Sequence, residues 1–126
     1  MKKIRVMIAD GDHQVRDGLQ TVLDLEEDIE VIGSAGDGRE ALKMTELLMP
    51  DVVLLDLCLP VMGGAAVVKM IKEKSPQSKV IMLTVFDDRD HIANAMAGGT
   101  DRLLLKDIRI DRLVDTLRTI GRGKKY

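Results

Sequence analysis

Short apolar runs alternate with longer amphipathic stretches along the whole chain. The runs fall at Ile4 to Ala9, Ile29 to Ile32, Val52 to Leu55, Val80 to Leu83 and Leu103 to Leu105. Continuous runs of this length, such as Val52-Val53-Leu54-Leu55, suit strands buried on both faces of a sheet. Between them the spacing becomes that of a one-sided helix: Val15, Leu19, Val22 and Leu23; Ala41, Met44, Thr45 and Leu48; Val67, Met70 and Ile71; Ile92, Ala95 and Met96; Ile110, Leu113, Val114 and Leu117. Strand and helix alternate throughout, which predicts an α/β fold with a doubly wound, five-stranded parallel sheet covered by five helices.

Local punctuation agrees with this reading. Asp37 and Glu40 have the spacing of a helix capping box, Pro60 marks the end of the third strand, and Gly98-Gly99 can close the fourth helix. The fifth helix has poorer start signals. The basic, glycine-containing end from Gly121 to Tyr126 resembles the start of a linker or a C-terminal tail, so the domain is expected to occupy residues 1–120.

Composition narrows the function classes. A chain of 126 residues, 45% hydrophobic and 32% charged, is the size and make-up of one self-folding domain. Its only aromatic residues are Phe86 and Tyr126, which leaves no platform for stacking bases, and 19 basic against 21 acidic residues create no field for a polyanion. No direct nucleic-acid contact by this chain is expected. Cys58 is the single cysteine, no secretory signal opens the chain, and no apolar run approaches the roughly 18 residues of a membrane span, so a cytoplasmic, non-membrane protein is expected.

The candidate chemistry lies at the strand ends, where open parallel sheets form their ligand crevice. The first strand finishes at Asp10, the third at Asp56, the fourth at Thr84 and the fifth at Lys106. Singly, each has an ordinary explanation as a turn former, a β-branched strand residue or a solvated lysine. Together they offer two carboxylates, a hydroxyl and an ammonium at one edge, a set suited to phosphate and magnesium. Attack of Asp56 on phosphorus would form an acyl phosphate, with Thr84, Lys106 and a cation stabilising charge on the transferred oxygens.

The stretches IRVMIAD ending at Asp10, VRDGL, IEVIGSAGDGREAL, PDVVLLDLCLP around Asp56, KVIMLTVFDD containing Thr84 and LLLKD containing Lys106 resemble response regulator receiver domains, in particular the subclass usually fused to a LuxR-type (NarL-like) helix-turn-helix. The resemblance spans essentially the whole chain. It implies a flavodoxin-like sheet of strand order 2-1-3-4-5 and a two-component switch in which Asp56 accepts a phosphoryl group from a sensor histidine kinase or a small acyl phosphate. It also implies Thr84 and Lys106 as the groups that meet the phosphate, and Mg2+ held by Asp10, Asp56 and the backbone carbonyl of Cys58. Self-catalysed transfer and hydrolysis are implied, without turnover of an external substrate. Homodimerisation is a further implication, as is control of transcription through a DNA-binding domain outside this chain.

Four positions depart from the pattern, Gly11 and Leu103 with the most weight. Gly11 stands where the family normally carries a second acidic residue that ligates the metal, which predicts weakened Mg2+ binding. Asp12 follows it and is either a replacement ligand after a register shift or, the preferred reading, the N-cap of the first helix. Leu103 stands where an aromatic residue usually reports phosphorylation, while Arg102 and Gly63 replace the common glycine and aspartate. Gly11 and Leu103 keep open an alternative, a phosphorylation-independent pseudo-receiver acting as a binding or dimerisation module. A flavin carrier is disfavoured by the acidic Asp10-Gly11-Asp12 loop. His13 and His91 lack metal-ligand spacing and are expected on solvent-facing helix surfaces.

Overall fold

The structure is a computed structural model describing residues 2–85 and 89–123. Met1, Phe86, Asp87, Asp88 and the end of the tail from Lys124 to Tyr126, part of it and of the KVIMLTVFDD stretch singled out above, lie outside the described residues. The elements in chain order are β1 (Ile4–Ala9), α1 (His13–Leu23), β2 (Ile29–Ala35), α2 (Gly38–Leu48), β3 (Val52–Asp56), α3 (Gly64–Lys74), β4 (Lys79–Thr84), α4 (Arg89–Ala97), β5 (Arg102–Leu105) and α5 (Ile110–Gly121). The strands are parallel and ordered β2-β1-β3-β4-β5.

The two-residue period of the strands divides the core into two layers. Val6, Ile8, Val52, Leu54, Ile81 and Leu83 face one side, where Leu19 and Leu23 of α1 and Leu113, Val114 and Leu117 of α5 cover them. Met7, Ala9, Val53, Leu55, Val80 and Met82 face the other, under Ala41 of α2, Val67, Val68 and Ile71 of α3 and Ala95 of α4. Every residue of β3 is buried, as its unbroken apolar run requires. Each fully buried aliphatic side chain contributes roughly 1.5–3 kcal/mol, so these layers carry most of the stabilisation.

The structure adjusts several boundaries. β2 continues past Ile32 to Ala35, because a bulge sets Met7 opposite Gly33 instead of Ile32 and pairing then resumes with Ser34 and Ala35. Gly33 is where Met44 and Leu48 of α2 close on the sheet; a Cβ there would lie 2.6 Å from Met44 Cε. Asp37 caps α2 by accepting the Glu40 N–H at 2.9 Å, and Gly99 closes the turn after α4 with φ of +112°. α5 has Arg109 at its N-cap without a side-chain hydrogen bond, in keeping with its poor start signals, and runs from Ile110 through Gly121.

Candidate functional site

The strand register brings the chemistry to one edge. Ala9 pairs with Leu55, so Asp10 and Asp56 leave β1 and β3 at the same level. Asp56 pairs with Leu83 and Thr84 with Leu105, which sets Thr84 beside Asp56 on β4 and Lys106 just beyond β5. The backbone N–H of Lys106 donates to the Thr84 carbonyl at 2.8 Å, tying the last two positions together. The neighbours β1 and β3 form the switch point of this sheet order, where its crevice opens.

Lys106 bridges the two carboxylates. Its Nζ lies 2.7 Å from Asp10 Oδ2 and 3.2 Å from Asp56 Oδ1. Burial of the ammonium pushes its pKa down, but contact with Asp10 and the charges of both carboxylates outweigh that, and the net shift is upward. Lys106 is therefore charged and offsets part of the repulsion between two buried acids. Asp10 Oδ2 is buried and has no aligned hydrogen bond among the described residues; its contact with Lys106 is a charge pair, which leaves an unused lone pair on that oxygen.

The other oxygens are fixed by the backbone. Asp10 Oδ1 accepts the Asp12 N–H at 2.8 Å, and Asp56 Oδ1 accepts the Cys58 N–H at 3.0 Å. Asp12 sits at the N-cap of α1, where its Oδ1 accepts from Gln14 N at 2.9 Å and Val15 N at 3.4 Å, the capping role preferred from sequence. Thr84 is buried at the base of the crevice and Cys58 is exposed at its rim.

A profile of the response regulator receiver domain matches residues 6–118. The chain belongs to the response regulator receiver family. The transcriptional regulatory protein MctR of Rhizobium johnstonii is 34% identical over 124 residues, covering 98% of this chain and 58% of MctR. LnrK of Bacillus subtilis, also a transcriptional regulatory protein, is 39% identical over 120 residues, covering 95% of this chain and 54% of LnrK. The chain thus spans a little over half the length of these curated relatives. Among solved structures, the signal receiver domain of the putative response regulator NarL from Mycobacterium tuberculosis superposes with a TM-score of 0.92 at 29% identity, over 98% of this chain and 100% of that one. The flavodoxin-like order 2-1-3-4-5 expected from sequence is the order this receiver has.

Within the receiver, the positions that depart from the family pattern have definite surroundings. Gly11 faces the Pro60 ring, and Leu103 packs against the core layer under α3 and α4. His13 is exposed and pairs with Asp17 at 3.2 Å, while His91 is an exposed residue of α4. Among the described residues no group of three or more His, Cys, Asp or Glu side chains is placed to hold a metal.

Three further residues shape the site: sequence reasoning assigned no role to Arg16 or Val61 and read Pro60 only as the end of the third strand. Arg16 donates from Nη1 to the Asp10 carbonyl at 2.7 Å and fits against Gly36, where a Cβ would lie 3.1 Å from the same nitrogen. Its position in the VRDGL stretch, one to two helical turns after Asp10, was the available signal. Pro60 and Val61 form a tight turn: the Met62 N–H donates to the Pro60 carbonyl at 2.9 Å, and Val61 has φ of +75°. A β-branched residue there is strained by about 1–3 kcal/mol. Nothing in the one-dimensional pattern marks it.

Proposed function

We propose that this receiver accepts a phosphoryl group on Asp56 and signals by the rearrangement that follows. The observation that carries the reading is the bridged pair: Lys106 joins Asp10 to Asp56 at the switch-point crevice, with each acid further oriented by a backbone N–H. Cys58 N–H and Lys106 both engage Asp56 Oδ1, and among the described residues Oδ2 meets no hydrogen-bond donor. Oδ2 is the nucleophile. Its lone pair forms the new O–P bond while the bond from phosphorus to the donor breaks, and the electron pair departs with the donor's imidazole or carboxylate. The donor is a phosphohistidine of a sensor histidine kinase or a small acyl phosphate.

Lys106 and Thr84 supply the positive charge and the hydroxyl that the transferred oxygens need, and their backbone link couples the phosphate to β4 and β5. Asp10 Oδ2, Asp56 and the Cys58 carbonyl in the adjoining loop are hard oxygen donors of the kind magnesium takes and would hold Mg2+ here. The ion would supply charge neutralisation during transfer. With Gly11 in place of a third acid, the affinity is low. Asp12 is committed to its cap.

Output resides in a DNA-binding domain outside this chain, as the names of the relatives suggest, with phosphorylation shifting receiver dimerisation. The setting is the cytoplasm; among the described residues no helix is long and apolar enough to cross a membrane. Beryllium trifluoride, which mimics an acyl phosphate, tests the reading by 1H–15N NMR. Shifts at the amides of Asp56, Thr84 and Lys106, strengthened by Mg2+ and lost in Asp56→Asn, are expected. An unchanged wild-type spectrum at saturating reagent would contradict it.

A further inference from the structure

Arg16 reaches from α1 back to the first strand end of the crevice. Its Nη1 donates to the Asp10 carbonyl at 2.7 Å. Its guanidinium lies on Gly36, between β2 and α2, where a Cβ would meet Nη1 at 3.1 Å and Cζ at 3.6 Å. The Arg16 backbone is itself anchored, its N–H donating to the Asp12 carbonyl at 3.1 Å. The peptide that Arg16 grips joins Asp10 to Gly11. Glycine turns to positive φ without steric cost, so no side chain at position 11 keeps this peptide from flipping. In this structure Gly11 is not among the glycines with positive φ. A flip would turn the Asp10 carbonyl away and set the Gly11 N–H against the guanidinium, donor facing donor.

The same peptide carries the turn that orients the acid. Asp10 Oδ1 accepts the Asp12 N–H at 2.8 Å, an Asx turn through Gly11, while the buried Oδ2 lies 2.7 Å from Lys106 Nζ. Flipping the peptide breaks the Oδ1 bond and frees the carboxylate to rotate. We infer that Arg16 is a positioning residue for phosphoryl transfer: by gripping the Asp10 carbonyl it holds the Asx turn and keeps Oδ2 in the crevice to serve a cation. This deepens the proposed function and rests on its reading of Asp10 as a cation donor. The sign of the effect is distinctive. Arg16 carries a positive charge that opposes a cation, so charge alone predicts tighter metal binding when Arg16 is neutralised, whereas loss of positioning predicts weaker binding. A side chain at Gly36 displaces the guanidinium and leaves its charge in place.

Mn2+ binding, followed by loss of the free-ion electron paramagnetic resonance signal, is measured for the parent, Arg16→Gln, Arg16→Lys, Gly36→Val and Arg16→Gln with Gly36→Val. Arg16→Gln is expected to weaken binding about fivefold, against the Coulombic trend, and Arg16→Lys to recover part of the loss. Gly36→Val is expected to weaken binding in the parent and to add little in the Arg16→Gln background. Amide exchange with water, read by 1H–15N NMR on the metal-free proteins, reports the turn itself. The Asp12 amide is expected to exchange about fivefold faster in Arg16→Gln, while the amides of Leu23 and of β3 keep the parent's rates, which separates a freed turn from a loosened fold. Mn2+ binding unchanged or tighter in Arg16→Gln, or an Asp12 amide that exchanges at the parent's rate, overturns the role of Arg16. No Mn2+ binding by the parent, with the Asp12 amide still freed in Arg16→Gln, instead overturns the cation reading of Asp10 and leaves Arg16 as the residue that fixes the turn.

Discussion

At the scale of single residues, the site owes as much to backbone geometry as to its charged groups. Val61 shows this most directly. Its φ of +75° is a conformation glycine adopts freely and a β-branched residue does not. Its side chain is also exposed and makes little packing to lose. Val61→Gly is therefore expected to stabilise the receiver by roughly 0.5–1 kcal/mol, the strain relieved exceeding the added chain entropy. Urea unfolding measures it, and a clear loss of stability would mean that the side chain packs in a way the turn does not reveal. Asp12 gives a second residue-scale test. Asp12→Ala removes the cap from α1 and should cost about 1 kcal/mol, with Mn2+ affinity unchanged. A parallel fall in Mn2+ affinity would make Asp12 a ligand.

At the scale of elements, the chain's pattern was a good guide wherever one local signal decided the outcome. Asp10 and Asp56 were legible because each ends an unbroken apolar run, and parallel pairing then brings run ends to one edge. Asp37 was legible as a cap from its spacing to Glu40. The bulge that skips Ile32 was not, because it depends on how β2 meets β1 and on Met44 and Leu48 closing over Gly33. The closeness of Lys106 to Asp10 was not legible either. Alignment with the family gave Lys106 a phosphate to meet, whereas in this structure its nearest charge is the carboxylate of β1. Pro60 was read as strand punctuation; its ring matters because a loop from β3 folds back onto one from β1. Contacts of this kind are set by tertiary packing and leave no periodic trace.

At the scale of the whole molecule, a second cluster anchors the opposite region of α5. Arg118 donates from Nε to Asp28 Oδ2 at 2.8 Å and from Nη2 to Glu26 Oε1 at 2.7 Å, and Arg122 reaches Asp28 Oδ2 at 2.9 Å. These contacts join the last helix to the loop before β2, across the chain. Hydrogen bonding to Arg118 lowers the Asp28 pKa, burial opposes it, and Arg122 lowers it further, leaving the carboxyl well below the usual carboxylate range. A depressed carboxyl contributes stability that is fully present above its unfolded value, near pH 4, and is lost as pH falls toward the folded value. Asp28→Asn should accordingly destabilise the receiver by roughly 1–3 kcal/mol at neutral pH, with the difference from wild type narrowing progressively below about pH 4. A difference constant from pH 7 to pH 3 would show that the Asp28 charge is not what the clamp uses.

The proposed event is phosphorylation of Asp56 in a crevice whose charge Lys106 already balances in part. Intact mass after incubation with acetyl phosphate, with and without Mg2+ and beside Asp56→Asn, tests it most directly. The expected result is the gain of one phosphoryl group in the wild type, requiring elevated Mg2+ and absent from Asp56→Asn. No gain at any Mg2+ concentration, or an equal gain in Asp56→Asn, would contradict it.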